Sequence, residues 1–70
     1  MESVYKVVEL VGSSPDSWEK AATTAIGKAG HSLRDLRVAT VAEQDMKIED
    51  GKITAYWVRL KLSFKLEGGD

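Results

Sequence analysis

The stretch from Tyr56 to Leu66 leaves this chain little freedom of fold. Tyr56, Val58, Leu60, Leu62, Phe64 and Leu66 fall on one side of an extended backbone, and Trp57, Arg59, Lys61, Ser63 and Lys65 on the other. Period two held this long is a β-strand with one face turned to a core and one turned away. The strand is expected over 52–67. Just before it, Asp50-Gly51 is a strong two-residue hairpin signal. It ties the strand to a preceding one from Leu36 to about Glu49, in which Val38-Ala39-Thr40-Val41-Ala42 and Met46-Lys47-Ile48 carry the β-formers. A further strand is expected from Val4 to Val11, ending at Gly12. Its adjacent Val7 and Val8 imply that both faces are partly covered, one by the core and one by a neighbouring subunit.

Between the first and second strands the period changes. Trp18, Ala21, Ala22, Ala25, Ile26 and Ala29 recur at helical spacing and form one narrow face, mostly alanine, suited to lying close on a sheet. Ser13-Ser14-Pro15 offers an N-cap and a first-turn proline. Asp16 and Glu19 suit the positive end of the helix dipole. Gly30 is expected to end the helix as a left-handed cap, with His31 just beyond it. Gly27 lies inside the helix, off the stripe, at a cost of roughly 1 kcal/mol relative to alanine. The whole chain, 1–70, reads as a single domain with Gly68-Gly69-Asp70 as a tail. The fold class is α+β, in the order β-α-β-β, with three antiparallel strands on one helix. One helix covers one sheet face, so the face bearing Trp57, Arg59, Lys61 and Lys65 is left as an intersubunit surface or a ligand platform.

Small chains need help to stay folded, because a single core of this size supplies only about 3–5 kcal/mol. With 70 residues, no cysteine and His31 as the one histidine, neither disulfides nor a zinc cluster can provide it. Oligomerisation remains. Ten Lys/Arg against eleven Asp/Glu give a net charge of −1, which argues against a strongly basic nucleic-acid binder. No apolar run is long enough to span a membrane, and Met1-Glu2-Ser3 lacks the charged and apolar regions of a signal peptide, so a cytoplasmic protein is expected. Enzyme chemistry finds little support. There is no thiol nucleophile, Ser13 and Ser14 are explained by capping, Arg34 and Arg37 by a solvated turn, and no phosphate loop is present.

The opening Val4-Tyr5-Lys6-Val7-Val8-Glu9-Leu10-Val11-Gly12-Ser13-Ser14-Pro15, the alanine-rich helix, Leu33-Arg34-Asp35-Leu36-Arg37 and the closing Leu60-Lys61-Leu62-Ser63-Phe64-Lys65-Leu66 together resemble the dodecins over nearly the whole chain. That resemblance implies a hollow homododecamer in which the sheet wraps around the helix. It implies a binding or storage protein rather than an enzyme, with riboflavin or FMN held as stacked pairs between subunits and coenzyme A as a further ligand. Trp57, Val38 and Lys65 are the candidate ligand-binding residues. The sequence departs from the flavin pattern. Val38 stands where flavin-binding dodecins carry a stacking tryptophan, Trp57 where they carry a glutamine that hydrogen-bonds the ring edge, and Asp45 where several carry an arginine near the phosphate. Weak flavin binding is therefore expected. Trp57 either stacks on a flat ligand in a rearranged way or fills the cavity against a symmetry mate, and Trp18 is expected in core or subunit packing.

The segment Ala42-Glu43-Gln44-Asp45-Met46 resembles the calcium dodecin subgroup, which also lacks the second-strand tryptophan. Glu43 and Asp45 are two apart on a strand and share a face. They are the candidate ligands for a divalent cation such as Ca or Mg, completed by neighbouring copies. The alternative is that they are solvated or pair with Arg37, Arg59 or Lys61. Glu49-Asp50-Gly51 lacks the periodicity of an EF-hand loop and reads as a hairpin tip. Two functions stay open: a carrier of flavin or another flat cofactor, and a metal-binding or purely structural assembly.

Overall fold

The computed structural model describes residues 2–66, so the expected tail at 68–70 and the strand end at Glu67 lie outside the described residues. The elements are β1 (Tyr5–Ser14), α1 (Trp18–Ser32), β2 (Leu36–Glu49) and β3 (Lys52–Lys65), and the sheet is antiparallel in the order β1-β3-β2. The most regularly alternating strand is thus the central one. With neighbours on both edges and the helix over one face, Val58, Leu60 and Leu62 are each 1% exposed. Asp50 and Gly51 make the β2–β3 turn with φ of 51° and 75°. This pair of left-handed residues matches the twist of the flanking strands.

The alanine stripe does what its narrowness implies. Ala21, Ala25 and Ala29 are buried against Val58, Leu60 and Leu62, with Val8, Leu10, Trp18, Ala22 and Ile26 packed around them. The helix lies so close to β1 that a Cβ on Gly12 would strike the Ala21 carbonyl oxygen and stand 2.9 Å from the Ala25 Cβ. Most helix contacts fall on β1 and β3. A 15-residue helix is about 22 Å long, whereas a 14-residue strand runs about 46 Å. The β2–β3 hairpin therefore projects past the helix, and Val41 and Met46, on the helix side of β2, remain 51% and 46% exposed.

Several boundaries differ from the sequence reading. β1 continues to Ser14 rather than stopping at Val11, because its register with β3 runs unbroken to the Ser14–Tyr56 pair. The N-cap is Ser17, whose hydroxyl accepts from the Lys20 N–H at 3.0 Å. Ser14 instead accepts from the Asp16 N–H, so Pro15 and Asp16 form the turn before the helix. Gly30 is not the C-cap. The helix continues to Ser32, with His31 in its last turn, and ends where the Leu33 N–H bonds the Ala29 carbonyl. The left-handed residue that redirects the chain is Asp35, at φ 62°. Leu66 lies just past β3, its N–H on the Val4 carbonyl, and is 38% exposed rather than part of the inner row. Val8 packs on the core as expected, while Val7 is 56% exposed within one chain.

The two helix-associated glycines should respond oppositely to one methyl group. Gly12→Ala is expected to lower stability by about 1–3 kcal/mol, because the helix must move off the sheet. Gly27→Ala, with nothing within 4 Å of its Cβ, should raise stability by up to about 1 kcal/mol. Denaturant titration at fixed protein concentration reads both.

Candidate functional site

The sheet face away from the helix collects the chemistry. On β3 it bears Trp57, Arg59, Lys61, Ser63 and Lys65. Across from these on β2 stand Asp45 opposite Trp57, Glu43 opposite Arg59, Thr40 opposite Lys61 and Val38 opposite Ser63. On the β1 side, Ser13 faces Trp57, Glu9 faces Lys61 and Tyr5 faces Lys65.

Two bulges on β2 create this arrangement. Register shifts occur between Leu36 and Val38 and between Val41 and Glu43, so Arg37 and Ala42 are extra residues. Each bulge reverses the alternation of the residues beyond it. Leu36, Ala39 and Val41 point toward the helix side, opposite Phe64, Leu62 and Leu60, whereas Val38, Glu43 and Asp45 point outward. Without the bulge at Ala42, Glu43 and Asp45 would turn to the helix side.

Glu43 and Asp45 share a face as expected. Arg59 Nε donates to Glu43 Oε1 at 2.9 Å in an exposed pair. The Asp45 carboxylate makes no ion pair or hydrogen bond among the described residues. Arg37 instead holds Asp35, at 3.0 Å. Among the described residues no group of three or more His, Cys, Asp or Glu side chains is placed to hold a metal. One chain thus offers two carboxylates, one of them already paired.

The ligand candidates do not converge within one chain. Val38 and Trp57 do lie on the same face and on neighbouring strands. However, Val38 sits opposite Ser63, six residues along β3 from Trp57, which is about 20 Å. The shared face suggests a separation of about one strand, and the register corrects that, because face and distance along a strand are independent. Trp57, 41% exposed, lines a cavity of about 300 Å³ with Asp45, Met46 and Lys47. Lys65 lines a different cavity of about 560 Å³ at the other end, with Ser32, Leu33, Arg34 and Asp35, and both cavities open to solvent.

Trp18 does more than pack. Its ring meets Tyr56 edge-on at 5.0 Å, and its indole Nε1 donates to the Asp45 carbonyl at 3.1 Å. The first turn of the helix is thereby tied to the backbone of the segment that carries Glu43 and Asp45. The apolar stripe predicts burial of this tryptophan, but nothing in its period marks a hydrogen bond 27 residues away.

The dodecin family model matches residues 4–67. The chain belongs to the dodecin family. It is 52% identical over 65 residues to a calcium dodecin of Mycobacterium tuberculosis, covering 91% of this chain and 90% of that one. A solved structure of dodecin from Streptomyces coelicolor superposes with a TM-score of 0.88 at 40% identity, covering 93% of each chain. A crystal structure of the M. tuberculosis calcium dodecin, described as calcium-chelating with a novel calcium-binding site, matches with a TM-score of 0.81 at 48% identity, covering 97% of each chain. The β-α-β-β order and the antiparallel sheet on one helix are those of this dodecin's relatives. No helix among its described residues is long and apolar enough to cross a membrane.

Trp18→Phe in this dodecin keeps the ring contact with Tyr56 and removes the indole N–H. Stability is expected to fall by about 1 kcal/mol, the worth of one ordinary hydrogen bond. Glu43→Gln should cost less than that, since an exposed ion pair contributes about 0–1 kcal/mol. Thermal melts of both variants, at one protein concentration, check the order.

Proposed function

We propose that this chain assembles as a hollow homododecamer that binds and stores a small ligand rather than transforming one, and that Glu43 and Asp45 from several copies hold a divalent cation, calcium before magnesium. The observation that carries the cation reading is the outward pairing of these two carboxylates beyond the Ala42 bulge. Calcium takes six to eight oxygens, and two carboxylates supply part of such a shell. Neighbouring copies around a symmetry axis would supply the rest. The Arg59 pairing does not bar this, because an exposed ion pair is weak enough for an ion to displace. The likeness to a calcium dodecin at 52% identity supports the same reading. Exposed Val7, Val11, Val38, Val41, Ile48 and Ile53 support self-association. The near-neutral charge balance supports the absence of a nucleic-acid partner, and the proposed assembly is cytoplasmic with no membrane partner.

Flavin or coenzyme A carriage, implied by the family, is the second reading, with the flavin site degraded. Val38 offers little flat surface. The Trp57 indole is donor-only and cannot accept as a glutamine can. Asp45 opposes a phosphate. A ring against Val38 would also lie about 20 Å from the Trp57 of the same chain.

Three measurements test these readings. Light scattering on dilute protein should give about twelve times the chain mass, and a stable monomer or dimer refutes the assembly. Calcium at about a hundredfold excess over its Kd should add about 2.7 kcal/mol of stability, a gain lost in the Glu43→Gln, Asp45→Asn double variant. A melting temperature indifferent to calcium and magnesium ends the cation reading. Riboflavin titrated by its own fluorescence should bind weakly, and Val38→Trp with Trp57→Gln should strengthen it. Submicromolar binding by the unaltered protein would show instead that Trp57 has taken over the stacking.

A further inference from the structure

We infer that the cavity between Trp57 and Asp45 selects a flat organic cation. This deepens the small-ligand carrier reading and rests on it, but it does not rest on calcium. The carrying observation is the register. Asp45 and Trp57 are direct cross-strand partners on the outward face and jointly line a cavity of about 300 Å³ with Met46 and Lys47. That volume is at the lower end of pockets that hold small organic ligands, about 300–1,000 Å³. Directly opposed residues place their Cβ atoms about 4.5–5.5 Å apart, so one small molecule touches both.

The two walls that face each other across the strands, Trp57 and Asp45, favour positive charge. The indole face carries a negative quadrupole and is the strongest cation–π partner among side chains. The Asp45 carboxylate has no protein cation on it among the described residues. Two cations neighbour it on this face: Arg59 is engaged by Glu43 at 2.9 Å, and Lys47, two residues along β2, makes no ion pair with it among the described residues. Lys47 is exposed. Its aliphatic stem can serve as apolar wall while its ammonium stays in water. A neutral flat ring gains only the stacking here, and an anionic one loses against Asp45.

Three flat tricyclic probes that differ in charge test this: proflavine (cationic), riboflavin (neutral) and FMN (anionic). Each is titrated by fluorescence into the assembled protein with a metal chelator present. Proflavine should bind about tenfold more tightly than riboflavin, and FMN most weakly. Asp45→Asn should remove about that tenfold for proflavine and leave riboflavin unchanged. Trp57→Leu should weaken both. Glu9→Gln, a carboxylate elsewhere on the same face, should change neither. Riboflavin or FMN binding as tightly as proflavine overturns the inference. So does proflavine affinity indifferent to Asp45→Asn, or equally reduced by Glu9→Gln, which marks diffuse charge attraction. If Trp57→Leu fails to assemble, the Asp45→Asn and Glu9→Gln comparison still decides. The chelator keeps the result separate from the calcium melts: loss of charge selectivity with the calcium shift intact refutes this inference alone, and the reverse refutes the cation reading alone.

Discussion

The contact on which the rest of this structure depends is backbone against backbone. Gly12 on β1 lies against the Ala21 carbonyl and the Ala25 methyl, with no strand side chain between them. That closeness lets a stripe of alanines, each contributing little area, seal Val58, Leu60 and Leu62 almost completely. It also sets where the helix lies, over β1 and β3, and so leaves the far reach of β2 uncovered. The exposed valines and isoleucines of the hairpin result from that placement.

A second constraint acts along β2. A plain strand would keep one parity from end to end. Extra residues at Arg37 and Ala42 reverse it twice. The apolar Leu36 and Val41 stay on the helix side while Val38, Glu43 and Asp45 all face outward. Trp18 reaches across from the first helical turn to the Asp45 carbonyl, so the strand beyond the second bulge is held to the core on one side and carries its charges on the other. Bulges are common where a sheet must re-aim side chains, and here the re-aimed residues are the carboxylates.

A single chain therefore holds a core but only part of the proposed site. It has two outward carboxylates, fewer oxygens than the proposed calcium site requires, and Val38 and Trp57 at separate ends of one face. Membership of the dodecin family makes this intelligible, since the proposed assembly would bring together what one subunit keeps apart.

Much was legible in the residues themselves. The eleven-residue alternation of β3, the Asp50-Gly51 turn and the alanine stripe each report a local preference that the fold obeys, and together they determine the β-α-β-β order. The shared face of Glu43 and Asp45 was legible for the same reason, because no irregularity falls between them. Helix ends were not: Ser13, Ser14 and Ser17 are all competent caps, and only the unbroken β1–β3 pairing selects Ser17. Nor could the sequence determine that β3 is central, that Val38 and Trp57 stand far apart, or that the Trp18 indole meets the Asp45 carbonyl. Those facts depend on register and bulges, which are decided by how three strands and a helix fit together, and periodicity along one strand carries no information about its partner.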